Sequence, residues 1–126
     1  LEELLKESDV VTLHCPLNDG TRELINASTL SLMKKSAILI NTSRGGVINE
    51  HDLASALNSD MIAAAGVDVL TKEPMDMDCP LRTARNCYFT PHIAWAPLET
   101  RKRLIGLVRD NVQAFIDGKP INNVAK

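Results

Sequence analysis

Short aliphatic runs punctuate the chain at residues 10–13, 37–40, 63–69 and 87–90, each followed by turn residues and then by a helical pattern. Near-continuous apolar runs of this length read as strands buried on both faces, as in a parallel sheet. The chain opens on Leu1-Glu2-Glu3-Leu4-Leu5, a helix already under way. Between the first two runs, residues 26–35 predict a helix capped by Asn26 or Ser28, with Leu30 and Met33 on its apolar face. Between the second and third, Asn49 is placed to cap a helix, with Asp52 three residues on. Ile48 and Leu53 then fit the two positions of a hydrophobic staple, and Leu53 with Leu57 forms the buried stripe. The stretch from Val69 to Cys87 holds Pro74 and Pro80 and reads as loop with at most a short helix.

The longest helix is expected over residues 97–117. Pro97 suits its first turn, Leu104, Val108, Val112 and Phe115 recur at helical spacing, and Ile105 and Ile116 widen the stripe. Gly118 and Pro120 end it. That stripe is read as core or domain interface. Strands alternating with helices through short connections imply right-handed βαβ units, so the fold class is α/β with a four-stranded parallel sheet and flanking helices.

Composition narrows the partners. Of 126 residues 44% are hydrophobic but only 3% aromatic, so the core must be aliphatic. The net charge is −2 and no Lys/Arg cluster stands out, so neither nucleic acid nor a membrane surface is expected as a partner. Cys15, Cys79 and Cys87 lack paired or metal-binding spacing. Reduced thiols in a cytoplasmic protein are the plain reading, with no metal site. The chain does not begin with Met and is read as a fragment of a longer one.

In open α/β sheets ligands bind at the carboxyl ends of the strands. His14-Cys15-Pro16 follow the first run, and Asn41-Thr42-Ser43-Arg44-Gly45-Gly46 the second. Asp68 and, slightly later, Glu73-Pro74 follow the third; Pro91-His92-Ile93-Ala94-Trp95 follow the fourth. An Arg, a carboxylate and a His thus converge on one edge of one sheet. Singly, each is ordinary: an Arg beside Gly-Gly is usually solvated, and a His after a strand is usually structural. Together they form a kit for reducing a keto acid: a fork for its carboxylate, a proton donor, and an anion to hold the donor charged.

With these residues the chain resembles the D-isomer-specific 2-hydroxyacid dehydrogenases. The resemblance rests on Thr42-Ser43-Arg44-Gly45-Gly46-Val47-Ile48-Asn49, Gly66-Val67-Asp68-Val69, Glu73-Pro74 and Thr90-Pro91-His92-Ile93, in that order. The His92-Ile93-Ala94-Trp95-Ala96 segment is most similar to the glycerate dehydrogenase/hydroxypyruvate reductase branch, although many relatives have Gly and a small residue where Ala94 and Trp95 stand. The resemblance implies interconversion of a small D-2-hydroxy acid and its 2-keto acid, of glycerate/hydroxypyruvate or glyoxylate type, with NAD or NADP. It implies that Arg44 clamps the substrate carboxylate, that His92 protonates the carbonyl oxygen, and that Glu73 stands beside the imidazolium and fixes its orientation. Asp68 would reach the nicotinamide side. Cys15, Pro16, Thr21, Thr42, Ser43, Arg44, His92 and Ala94 would border the cofactor. Trp95 is packing or a wall of the substrate pocket, and the pocket wall is expected.

No G-x-G-x-x-G follows a strand, and Gly45-Gly46 is not that loop. The resemblance places this fingerprint before Leu1. Residues 1–117 would then be the second half of a dinucleotide-binding domain, and 118–126 a tail leading back toward a substrate domain outside the chain. Residues 10–13 would lie beside a strand the chain does not contain, an unprotected edge that seeks a partner. The whole protein would be a homodimer; alone, these residues are not expected to turn over substrate. The alternative is an NAD-sensing corepressor-like binding module of the same fold, which would keep the same three residues. A thiol enzyme built on His14 and Cys15 is disfavoured, because strand neighbours point to opposite faces.

Overall fold

The computed structural model describes residues 1–124; the last two residues of the expected tail lie outside the described set. By its internal contacts the chain falls into two compact units, Leu1–His92 and Ile93–Lys126.

The first unit is a parallel sheet of β1 (Val10–Leu13), β2 (Ile38–Asn41), β3 (Ala64–Val67) and β4 (Cys87–Phe89), in the spatial order β1-β2-β3-β4. Its helices are α1 (Glu2–Glu7), α2 (Ala27–Leu30) and α3 (Glu50–Asn58), with 3-10 turns at Gly45–Val47 and Pro80–Thr83. Register runs without a slip, Val11 opposite Leu39 and Leu39 opposite Ala65. Because every crossover steps in the same direction, right-handed connections put all the helices on one face. The burial pattern agrees: Val11, Leu13, Leu39, Ala65 and Val67 are buried under them. The other face differs from expectation. Val10 is 52% exposed, Ile38 39% and Tyr88 68%, so these strands are buried on one face rather than two. Within this unit nothing crosses to that side.

Local chemistry explains the helix limits. The Asn26 side chain accepts from the Ser28 and Thr29 amides, and the Thr29 hydroxyl takes the Asn26 N–H in return, a complete capping box. The helix nevertheless stops at Leu30 rather than running to residue 35. Leu32 and Met33 donate three residues back, to Thr29 and Leu30, tightening the chain out of α geometry. Leu30 and Met33 are still buried as expected. Asn49 caps α3 through the Asp52 amide at 3.1 Å, and the staple pair Ile48 and Leu53 is buried. Asp52 in turn accepts the Ala27 N–H at 2.8 Å, tying the start of α2 to α3. At the far end of α3, Asp60 adopts φ 54°, and Met61 donates back to Ala56. This is a Schellman ending without glycine.

The second unit holds α4 (Leu98–Ile116), which Pro97 immediately precedes. Gly118, at φ 67°, donates to Phe115 and Lys119 to Ala114, closing the helix with a Schellman motif. Among the described residues none of α4 is buried, so the apolar stripe expected as core or interface is exposed here.

Candidate active site

Each strand of the first unit delivers polar residues just beyond its last rung. Asn41, the end of β2, is fully buried. Its Nδ2 donates to the Arg44 carbonyl at 2.9 Å, and its Oδ1 accepts from the Ser43 amide at 3.0 Å and the Ser43 hydroxyl at 2.9 Å. A buried amide with both ends occupied fixes the loop that carries Arg44. Sequence reading passed over Asn41; the available signal was a polar residue closing an otherwise apolar strand. Arg44 is exposed, and its Nη1 folds onto the Ser43 carbonyl at 2.7 Å. Next to it Gly45 sits against the following loop. A Cβ there would lie 1.9 Å from the Leu70 carbonyl carbon and 2.2 Å from the Thr71 nitrogen.

Beyond β3 and β4 lie Asp68, Glu73 and His92. Asp68 is buried, and its carboxylate accepts the Thr90 hydroxyl. The Asp68 carbonyl accepts the His92 N–H at 2.9 Å, with the Thr90 carbonyl sharing that donor at 3.0 Å. His92 adopts φ 55°, a left-handed conformation uncommon for a non-glycine residue. Two carbonyls on one amide hold it there. The ring Nδ1 meets Glu73 Oε2 at 2.7 Å, while Glu73 Oε1 accepts the Leu70 N–H at 2.9 Å. The Leu70 amide first, and then His92, hold the Glu73 carboxyl below its usual range. A depressed carboxyl contributes stability that is present above its ordinary value and lost as pH falls through the lowered one. Protection of the Leu70 amide from hydrogen exchange should therefore persist through the usual carboxylate range and fail only at more acid pH. Loss of protection at or above that range would contradict the pairing.

The expected residues gather around two cavities. One, of about 400 Å³, is lined by Asp68, Glu73 and His92, with Thr90 and the apolar walls of Leu70 and Phe89. The other, of about 520 Å³, is lined by Cys15, Pro16, Thr42, Ser43 and Arg44, with His14 and Leu17. The contact of Gly45 with the peptide between Leu70 and Thr71 joins the loops that border them. Thr21 lines neither cavity; its hydroxyl donates to the Pro16 carbonyl at 2.6 Å and accepts the Asn18 N–H at 2.9 Å, shaping the loop after β1. Ala94 and Trp95 belong to the second unit and are exposed. His14 pairs with the Thr12 hydroxyl at 2.9 Å, two residues away on its own face of the strand, and His51 is exposed in the first turn of α3. The three cysteines are free; burial pushes Cys79 up and Cys87 to about 11, which disfavours their thiolates.

Residues 1–94 match the family model described as "D-isomer specific 2-hydroxyacid dehydrogenase, NAD binding domain". The chain belongs to this family. Over 126 residues it is 49% identical to a hydroxypyruvate reductase of Blautia hydrogenotrophica, covering 100% of this chain and 39% of that protein. It is 46% identical to a glycerate dehydrogenase of Methylorubrum extorquens, covering 98% of this chain and 40% of the relative. Among solved structures it superposes with a TM-score of 0.86 and 36% identity on an acyclic imino acid reductase in complex with NADPH and D-Arg, covering 98% of this chain and 39% of that one. The chain thus spans about two fifths of the length of the relatives it matches. In doubly wound folds of this kind ligands bind at the strand ends, and the family domain is an NAD-binding one. Both cavities suit a nicotinamide cofactor: one offers apolar walls with the Asp68 carboxylate, the other the hydroxyl-bearing Thr42 and Ser43.

Proposed function

We propose that the native protein carrying these residues reduces a small 2-keto acid to its D-2-hydroxy acid at the Arg44, Glu73 and His92 edge of the sheet. The observation that carries this reading is the 2.7 Å pair of His92 Nδ1 with Glu73, beside a cavity at the strand ends. A bound nicotinamide cofactor supplies the hydride. With Nδ1 committed to Glu73, the proton for the keto oxygen is the one on Nε2. Glu73 stabilises the ring while it is charged and keeps it from rotating. Arg44 offers the planar fork that a carboxylate matches in two parallel hydrogen bonds. Hydroxypyruvate is the keto acid to try, on the strength of the 49% identical relative's name.

The homodimer and the cytoplasmic setting belong to the same proposal. Exposed apolar positions of α4, Leu104 and Val108 among them, support a further subunit, and three free thiols support a reducing compartment. The same proposal assigns residues 1–117 to the dinucleotide-binding domain and 118–126 to a return toward a substrate domain.

Loss of reduced-nicotinamide absorbance on adding hydroxypyruvate tests the activity directly. No turnover with any small 2-keto acid would leave a binding module instead. Two variants sharpen the test. Arg44→Lys keeps the charge but loses the fork, so kcat/KM for the keto acid should fall about 10–100-fold, the equivalent of one charge-assisted hydrogen bond, with cofactor binding less affected. Equal losses in both would assign Arg44 to the cofactor. Glu73→Gln offers the ring an amide oxygen in place of a carboxylate, so kcat should fall about tenfold, the loss of a charge-assisted hydrogen bond, with the cofactor KM near that of the parent. A parental kcat would mean that Glu73 is not the partner.

A further inference from the structure

One carboxylate near these loops has no role in the chemistry just described. Glu50 opens α3, directly after the cap residue Asn49, and its side chain turns away from its own helix. Oε1 accepts the Thr71 N–H at 2.7 Å, and Oε2 faces the Cys79 thiol at 3.8 Å. Thr71 follows Leu70, whose N–H is held by Glu73. Two consecutive amides are therefore held by two different carboxylates, one from the proton-donor pair and one from the helix behind the Arg44 loop. The peptide between them is the surface on which Gly45 rests, with no room for a single added carbon.

We infer that Glu50 is a positioning residue, which clamps the peptide between Leu70 and Thr71 and so sets the Glu73–His92 pair relative to the Arg44 loop. The inference rests on the dehydrogenase reading above. If Thr71 were released, the Leu70 amide would loosen with it, because the Thr71 N–H is coplanar with the Leu70 carbonyl and only the Leu70 Cα separates that rigid plane from the Leu70 N–H. Glu73 would then lose the donor that helps to fix its carboxylate, and His92 would lose its orientation. Substrate clamp and proton donor sit on different strands, so small relative shifts reduce rate more than they reduce cofactor binding. Among the described residues the Leu70 and Thr71 amides have Glu73 and Glu50 as their acceptors, and the carbonyl side of the peptide is packed against Gly45.

The test uses the native protein with Glu50→Asp, Glu50→Ala and Glu50→Gln. Asp keeps the negative charge that suits a first helical turn but is one methylene too short to reach Thr71, so the fold should survive. Gln keeps an oxygen in place to accept the Thr71 N–H. For Glu50→Asp we expect kcat to fall about tenfold with the KM for the reduced cofactor near that of the parent. Both the Leu70 and Thr71 amides should exchange faster. Glu50→Gln should recover most of the rate and the Leu70 protection. Parental kcat and unchanged Leu70 exchange in Glu50→Asp would overturn the inference, as would a variant that loses only thermal stability at parental rate. If the parent itself fails to turn over keto acids, the dehydrogenase reading falls. Leu70 exchange in Glu50→Asp then still decides whether Glu50 sets this peptide.

Discussion

Replacing His92 with Ala in the native protein should lower kcat for keto-acid reduction by about 10²–10⁴-fold, the range that a positioned general acid contributes. His92 lies beside a cavity of about 400 Å³ whose other ionisable groups, Asp68 and Glu73, carry acid side chains that are poor donors when ionised. Neither carboxylate can replace the imidazole as proton donor to the keto oxygen. Cofactor KM should change little, since the ring acts on the substrate oxygen. Backbone effects need a control, because His92 sits at φ 55° and Ala tolerates that conformation poorly. Asn adopts it more readily, so His92→Asn keeps the turn while removing the acid. Both variants should lose the rate alike. Near-normal kcat in either, or a loss in Ala that Asn restores, would remove His92 from the chemistry and leave it a turn residue.

What could be read beforehand was what local pattern controls. β1 runs over Val10–Leu13 as expected, and the other three strands are displaced or shortened by at most two residues at either end. Asn49 and the Ile48–Leu53 staple lie where short-range capping rules put them, as does the Gly118 ending of α4. The Glu73–His92 pairing was implied by the resemblance, and a parallel sheet brings the residues after successive strands to one edge. Interactions linking distant stretches left no such mark. Glu50 and Thr71 are far apart in sequence, and nothing in Asn49-Glu50 distinguishes an anchoring carboxylate from ordinary first-turn acid. The open sheet face was hidden for another reason. Apolar runs report the capacity to be covered on both sides, whereas coverage depends on where the connections run, and here all run on one side. Asp60 took a left-handed helix ending without the glycine that usually signals it. At α2 the capping box was visible, but the early tightening at Leu32 and Met33 was not, since Leu30 and Met33 satisfy helical spacing either way.

Gly45→Ala should be the most damaging substitution of a residue that touches no substrate. Most cramped glycines face a side chain that can rotate aside. At Gly45 the three atoms nearest an added Cβ are all backbone: Leu70 C at 1.9 Å, Leu70 O at 2.2 Å and Thr71 N at 2.2 Å. That peptide is held in place on either side, Leu70 by Glu73 and Thr71 by Glu50. Relief therefore requires moving one whole loop away from the other, and overpacking of this kind costs about 1–3 kcal/mol or more. The displaced loop is the one that carries Arg44, directly before the glycine, so stability and chemistry should fail together. A shift of roughly 1 Å between clamp and proton donor is enough for about a 10²-fold loss in kcat/KM. Gly46 provides the internal comparison. The three atoms nearest its added Cβ all belong to the Leu17 side chain, the closest being Cδ2 at 3.0 Å, and that side chain can turn aside. Gly46→Ala should thus fold and turn over close to the parent, while Gly45→Ala unfolds at lower denaturant and loses most of its keto-acid activity. Equal effects of the two substitutions, or a Gly45→Ala protein as stable and active as the parent, would show that the Arg44 loop does not rest on the Leu70–Thr71 peptide.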